Sequence, residues 1–166
     1  MKTTWQRRCS WAAAGWAVIF AAAHFYWALG GAVGLAVSAG PKLAAERPAW
    51  FVAGGLWGVG GLCLVCAGIG RELARHRMNG LPWLLVRVGG GFAGLVLLVR
   101  AVVVETMLLT GTLDNTVGPD HRFWTLTVWN PWFATGGIAF LLAIFGTKGS
   151  ADTADCRKER VSTPDI

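Results

Sequence analysis

Two stretches without a charged residue, Trp11 to Val37 and Pro48 to Gly70, constrain this chain more than any other feature of its sequence. Each exceeds the ~20 residues that a helix needs to cross a hydrocarbon layer ~30 Å thick. A third stretch, Leu81 to Leu109, is as apolar but carries Arg87, Arg100 and Glu105, and a fourth, Phe123 to Thr147, again lacks charge. The connecting segments are too short to cover so much apolar surface in water, so the solvent is lipid. Composition agrees: 14% of the 166 residues are charged, where a soluble domain has roughly 25%. The expected fold is all-α, a polytopic membrane protein with four transmembrane helices in an antiparallel bundle. The spans fall at about residues 11–31, 50–70, 83–109 and 124–146, within a membrane domain over 1–147. The polar, mixed-charge tail 148–166 is expected to be disordered.

Lysine and arginine in short loops set orientation. Lys2, Arg7, Arg8, Arg71, Arg75, Arg77, Lys148, Arg157, Lys158 and Arg160 flank one side, against Lys42, Arg47 and Arg122 on the other, a ratio of ten to three. Both termini are therefore expected in the cytoplasm, with the protein multi-pass in the cell membrane. The net charge of +6 is this asymmetry plus the two arginines within span three. It forms no basic stripe that would suit nucleic acid. The first apolar run continues through Phe25, Tyr26 and Trp27, longer than the apolar core of a cleaved signal, and is read as a span.

Glycines at i, i+3 and i+4 spacing in spans two and three (Gly54, Gly55, Gly58, Gly60, Gly61; Gly89, Gly90, Gly91, Gly94) let helix backbones approach closely within the bundle. The same faces offer a surface for self-association. Gly30, Gly31 and Gly34 are expected to bend the chain at the outer end of span one. Trp11, Trp50, Trp83 and Trp124 fall near the membrane boundaries as interfacial anchors. Trp27, Trp57, Trp129 and Trp132 lie deeper, either packing the bundle or lining a pocket, and their indole N–H groups need acceptors there.

The functional signal is a polar layer in the outer half. At 1.5 Å per residue, His24, Arg100 and Asn130 lie ~10, ~13 and ~10 Å below the outer surface, on three different helices. Glu105 lies nearer the interface, below a loop with Asp114, Asp120, His121 and Arg122. A central arginine costs at least ~2.5 kcal/mol against lipid, so Arg100 faces protein or water. Glu105 is ~7.5 Å along the axis and ~140° round from it, so partners for Arg100 come mainly from other helices or a ligand. Arg87, near the cytoplasmic end, can snorkel. His24 is either a neutral imidazole bonded to a neighbour or a proton carrier beside Trp27. Asn130 precedes Pro131, which frees carbonyls in the preceding turn and makes either a kink or a polar site.

Cys63-x-x-Cys66 has redox spacing, but within span two it is read as small packing residues. The three histidines are scattered without metal-ligand spacing, and no phosphate-cradling glycine motif is present, so neither metal nor cofactor is expected.

The segment His24-Phe25-Tyr26-Trp27-Ala28-Leu29-Gly30-Gly31, with Trp129-Asn130-Pro131-Trp132 opening the last span, resembles a family of small bacterial four-span membrane proteins classified only as a domain of unknown function. In that family an H-x-Y-W-A-x-G-G signature ends span one and an aromatic-Asn/Ser-Pro segment begins the last span. The resemblance covers roughly residues 11 to 146. It implies the four-helix architecture, draws attention to His24, Tyr26, Trp27 and Asn130, and transfers no activity.

Three functions compete. The first is a binding or accessory protein whose outer pocket, formed by Tyr26, Trp27, Arg100, Asn130, Trp129 and Trp132, takes a lipid or other amphiphile. The second is a membrane-embedded enzyme with His24 and Glu105 as acid and base. The third, a proton-coupled carrier, lacks a polar path through the inner half.

Overall fold

The computed structural model describes residues 4–112 and 118–145; Lys2, Asp114 and the tail 148–166 lie outside the described residues. Among them there is no strand. Four helices are long and apolar enough to cross a membrane: span one Thr4–Ala28, span two Phe51–Arg75, span three Gly80–Leu109 and span four Pro119–Phe145. Two short helices, Leu35–Ala39 and Pro41–Glu46, connect spans one and two.

Span one begins before the uncharged stretch, because nothing from Trp5 to Arg8 breaks a helix, and the Ser10 hydroxyl is satisfied by Gln6 O at 2.8 Å. It ends at Ala28, earlier than the apolar run, and the glycines are the reason. The Gly31 N–H donates to Tyr26 O at 2.9 Å and the Gly30 N–H to Trp27 O at 3.1 Å, with Gly30 at φ +107°. That pairing is a Schellman stop, which needs a left-handed residue and so favours glycine. Gly31 lies under the Tyr26 ring, where a Cβ would overlap it. The Trp27 indole donates to Val33 O at 2.8 Å and ties down the chain beyond the turn. Arg47 then donates to Trp27 O at 3.0 Å and to Gly31 O at 2.5 Å. An arginine that entered the charge count as a loop residue therefore caps the carbonyl end of span one, where a cation also suits the helix dipole.

Spans two and four each contain a π-helical segment, Phe51–Gly58 and Thr125–Trp129. Small residues set the packing between helices. A Cβ on Gly70 would stand 2.8 Å from Ala14 N, and one on Gly137 would stand 2.9 Å from Gly94 O, so spans one and two, and three and four, touch backbone to backbone. Gly60 makes room for Phe25 and Gly136 for Trp16. The core gathers Trp16, Phe20, Phe140, Cys63 and the small residues Ala13 and Ala17. Cys63 and Cys66 are free thiols, with Cys63 in this core. Gly54, Gly61 and Gly68 differ: none has a neighbour within 4 Å of a would-be Cβ.

Candidate functional site

The contact between Gly94 and Gly137 fixes spans three and four in register. Arg100 lies six residues beyond Gly94, and Asn130 seven residues before Gly137, so both stand ~9–10 Å from the crossing. The side chains meet there. Asn130 is 3% exposed; its Oδ1 accepts from Arg100 Nη1 at 3.2 Å, and its Nδ2 donates to Glu105 Oε2 at 2.7 Å. One amide thus joins two charges that their own helix holds ~140° apart. The amide orientation is fixed by its neighbours, since oxygen must face the cation and nitrogen the carboxylate.

The backbone of span four aims Asn130. Its N–H bonds to Thr125 O, a bond spanning five residues that belongs to the π segment, and Pro131 next to it has no N–H to offer. Phe133, three residues on and on the same face, places its ring centroid 3.6 Å from the Arg100 guanidinium carbon. The half-buried arginine is thereby met on its edge by an amide and on its face by an aromatic ring.

His24 belongs to a different group. It is 8% exposed, and its Nδ1 lies 2.9 Å from Phe20 O. A carbonyl only accepts, so Nδ1 carries the proton and Nε2 is left as an acceptor. The rings of Phe20 and Trp27 pack edge-on against it, at 4.5 and 5.2 Å. Phe20 in turn meets Phe133 at 5.3 Å. A pair of phenyl rings therefore stands between His24 and Arg100.

The remaining expected residues also have definite places. Trp129 packs on Trp27 at 6.1 Å, and Trp132 stacks on Trp16 at 5.8 Å while its carbonyl accepts the Trp16 indole at 2.9 Å. The indole nitrogens of Trp129 and Trp132 are buried without a hydrogen-bond partner among the described residues. Tyr26 is 47% exposed and covers the Gly31 turn.

A cleft of about 330 Å³ opens between spans three and four. Its walls are Ala101, Val102, Leu126, Pro131 and Ala134, and its polar end is formed by Glu105, Thr106 and Asn130. Of the residues singled out from sequence, Asn130 and Glu105 line it. Arg100 reaches it through Asn130, and His24, Tyr26, Trp27, Trp129 and Trp132 are not among its walls. Thr106 and Phe133 escaped the sequence reading; their spacing from Glu105 and Asn130 was the available signal. Among the described residues no three His, Cys, Asp or Glu side chains converge as a metal site.

Residues 17–140 match the family described as a protein of unknown function, DUF3995. The chain belongs to the DUF3995 family. No curated protein and no solved structure matches it. The DUF3995 region begins inside span one and ends inside span four, so it contains every residue of the Arg100–Asn130–Glu105 network and of the Gly30 turn. In this DUF3995 chain Tyr26, Trp27, Gly30 and Gly31 are accounted for by turn building. His24, buried among rings, and Asn130, between two charges, are not.

Proposed function

We propose that the protein is an integral protein of the cell membrane, an antiparallel four-helix bundle with both termini cytoplasmic, that binds a lipid or other amphiphile between spans three and four. The observation that carries this reading is the cleft whose apolar walls end at Glu105, Thr106 and Asn130. Its volume of about 330 Å³ lies at the lower end of the 300–1,000 Å³ range of small-molecule pockets. That suits a head group with its first methylenes rather than a large cofactor. The Thr106 hydroxyl donates to Val102 O and the Asn130 amide donates to Glu105, so the cleft chiefly offers acceptors. A head group carrying hydroxyl or ammonium donors is the complement.

Binding is preferred to acid–base chemistry because His24 does not line the cleft that Glu105 lines. Self-association belongs to the same proposal: Gly54, Gly61 and Gly68 repeat every seven residues on span two with open space before them, a surface a second copy could approach closely. Mass spectrometry of gently extracted protein tests the binding. One amphiphile is expected near one per chain. Leu126→Trp should expel it by filling the cleft, and Glu105→Gln should weaken it about tenfold, the loss of one charge-assisted hydrogen bond. An empty wild-type protein, or full retention in Leu126→Trp, would refute the proposal.

A further inference from the structure

A second crevice lies at the opposite end of the bundle, between the first turns of span one and the last turn of span two. It measures about 370 Å³ and is lined by Arg7, Trp11, Ala74, Arg75 and Arg77. Span two ends at Arg75; His76, at φ +50°, turns the chain, and its ring packs edge-on against Trp83 at 4.0 Å. That turn returns Arg77 to the crevice beside Arg75. The Arg75 guanidinium lies 5.6 Å from the Trp11 ring. Stacking engages the face of a guanidinium and leaves its in-plane N–H groups free to bind.

Among the described residues the lining holds three positive charges and no carboxylate. Glu72, one turn from Arg75, is buried and outside the crevice. Ordinary helix electrostatics accounts for Arg75, a cation at a carbonyl end. It does not account for Arg7, which stands near the amino end of span one, where unpaired N–H groups disfavour a cation and no acidic residue occupies the first turn. Three cations gathered without a carboxylate among the described lining residues repel one another, and an anion between them would add an attraction to each.

We propose that this crevice binds a phosphate group, either that of an anionic lipid head group or a free phosphate. The N–H groups of Arg7, Arg75 and Arg77 match phosphate oxygens, and Trp11, 43% exposed at the boundary of an apolar helix, sits at head-group depth. Exposed Gly15 and Val18 continue from Trp11 along the same face of span one, and a Cβ on Gly15 would meet nothing within 4 Å. An acyl chain attached to the bound phosphate has a smooth path there.

The test uses the full chain in phosphatidylcholine nanodiscs, with phosphatidylglycerol added in one arm and inorganic phosphate titrated in the other. Saturable uptake of phosphatidylglycerol that inorganic phosphate does not displace supports the site with a lipid source. Binding or displacement by inorganic phosphate supports the site with a free-anion source. In either arm Arg75→Gln and Arg77→Gln should each weaken binding about fivefold, and together about 25-fold. Arg71→Gln, an exposed arginine one turn before Arg75 on span two and outside the lining, should change it less than twofold. Equal losses from Arg71→Gln and Arg75→Gln would mean diffuse surface charge and would overturn the site, as would binding indifferent to all three. Arg75→Lys, which keeps charge and loses the planar fork, should retain electrostatic recruitment with a faster off-rate, and its helical circular dichroism guards against misfolding.

Discussion

Replacing Asn130 by alanine removes the side chain that touches both Arg100 and Glu105, and the structure sets the size of the effect. Each lost hydrogen bond has one charged partner and is worth ~1.5–3 kcal/mol by soluble-protein precedent, ~3–6 kcal/mol together. Contacts between helices in bilayers are weaker, averaging ~0.6 and reaching ~1.7 kcal/mol, because the separated helices find other partners. Arg100 and Glu105 are both half-buried and will recover part of their loss from head groups or water. Two contacts at the upper membrane value give about 3 kcal/mol for Asn130→Ala. The decisive comparison is a cycle. With Arg100 and Glu105 both changed to leucine, the same Asn130→Ala substitution should cost about 1 kcal/mol, a coupling of ~2 kcal/mol. Equilibrium unfolding in lipid bicelles, driven by steric trapping, measures all four proteins. If Asn130→Ala cost the same in both backgrounds within ~0.5 kcal/mol, the sites would be independent and the network would be a geometric coincidence.

Gly137→Val should destabilise the bundle by ~1–3 kcal/mol, since its Cβ would press on Gly94 O and Leu98; thermal denaturation in detergent would show it, while Gly61→Val, with open space before it, should leave the monomer's midpoint unchanged. Arg47→Ala uncaps Trp27 O and Gly31 O and should cost ~1–3 kcal/mol, with hydrogen exchange rising first in residues 26–35. Gly30→Ala places a side chain at φ +107° and should cost about 1 kcal/mol on the same measurement.

Much of this protein is legible in sequence because lipid is an exacting solvent. A helix that must cross ~30 Å of hydrocarbon announces itself as ~20 uninterrupted apolar residues. Depth is partly readable, because the rise per residue is constant: counting puts Arg100 and Asn130 at ~13 and ~10 Å, and their side chains meet. Azimuth is what counting misses. That Asn130 faces Arg100 and Glu105, while His24 faces Phe20 and Trp27, follows from which glycine lets which backbone close in, Gly94 on Gly137 and Gly70 on Ala14. Those choices are made between helices far apart in sequence. Arg47 shows the same limit, since the carbonyls it caps lie 16 and 20 residues earlier. Tyr26, conspicuous as an aromatic neighbour of His24, covers the Gly31 turn instead, while Trp27 packs on His24 and ties its indole to Val33 O.

The π segment of span four shifts the helix phase that shapes the cleft. An α-helix advances 100° per residue, so the five-residue bond from Asn130 N–H to Thr125 O lets one extra residue pass before the helix resumes. Deleting Thr127 or Val128 would remove the surplus residue together with the wide turn, so Thr125 and Asn130 would keep their relative places and the cleft should survive. The same residues drawn into regular α geometry would instead turn everything before the segment by about 100° relative to everything after. Leu126 would leave the cleft while Asn130 stayed, and the wall would part from its polar floor. A span normal by every measure of helicity and insertion would then have lost the pocket.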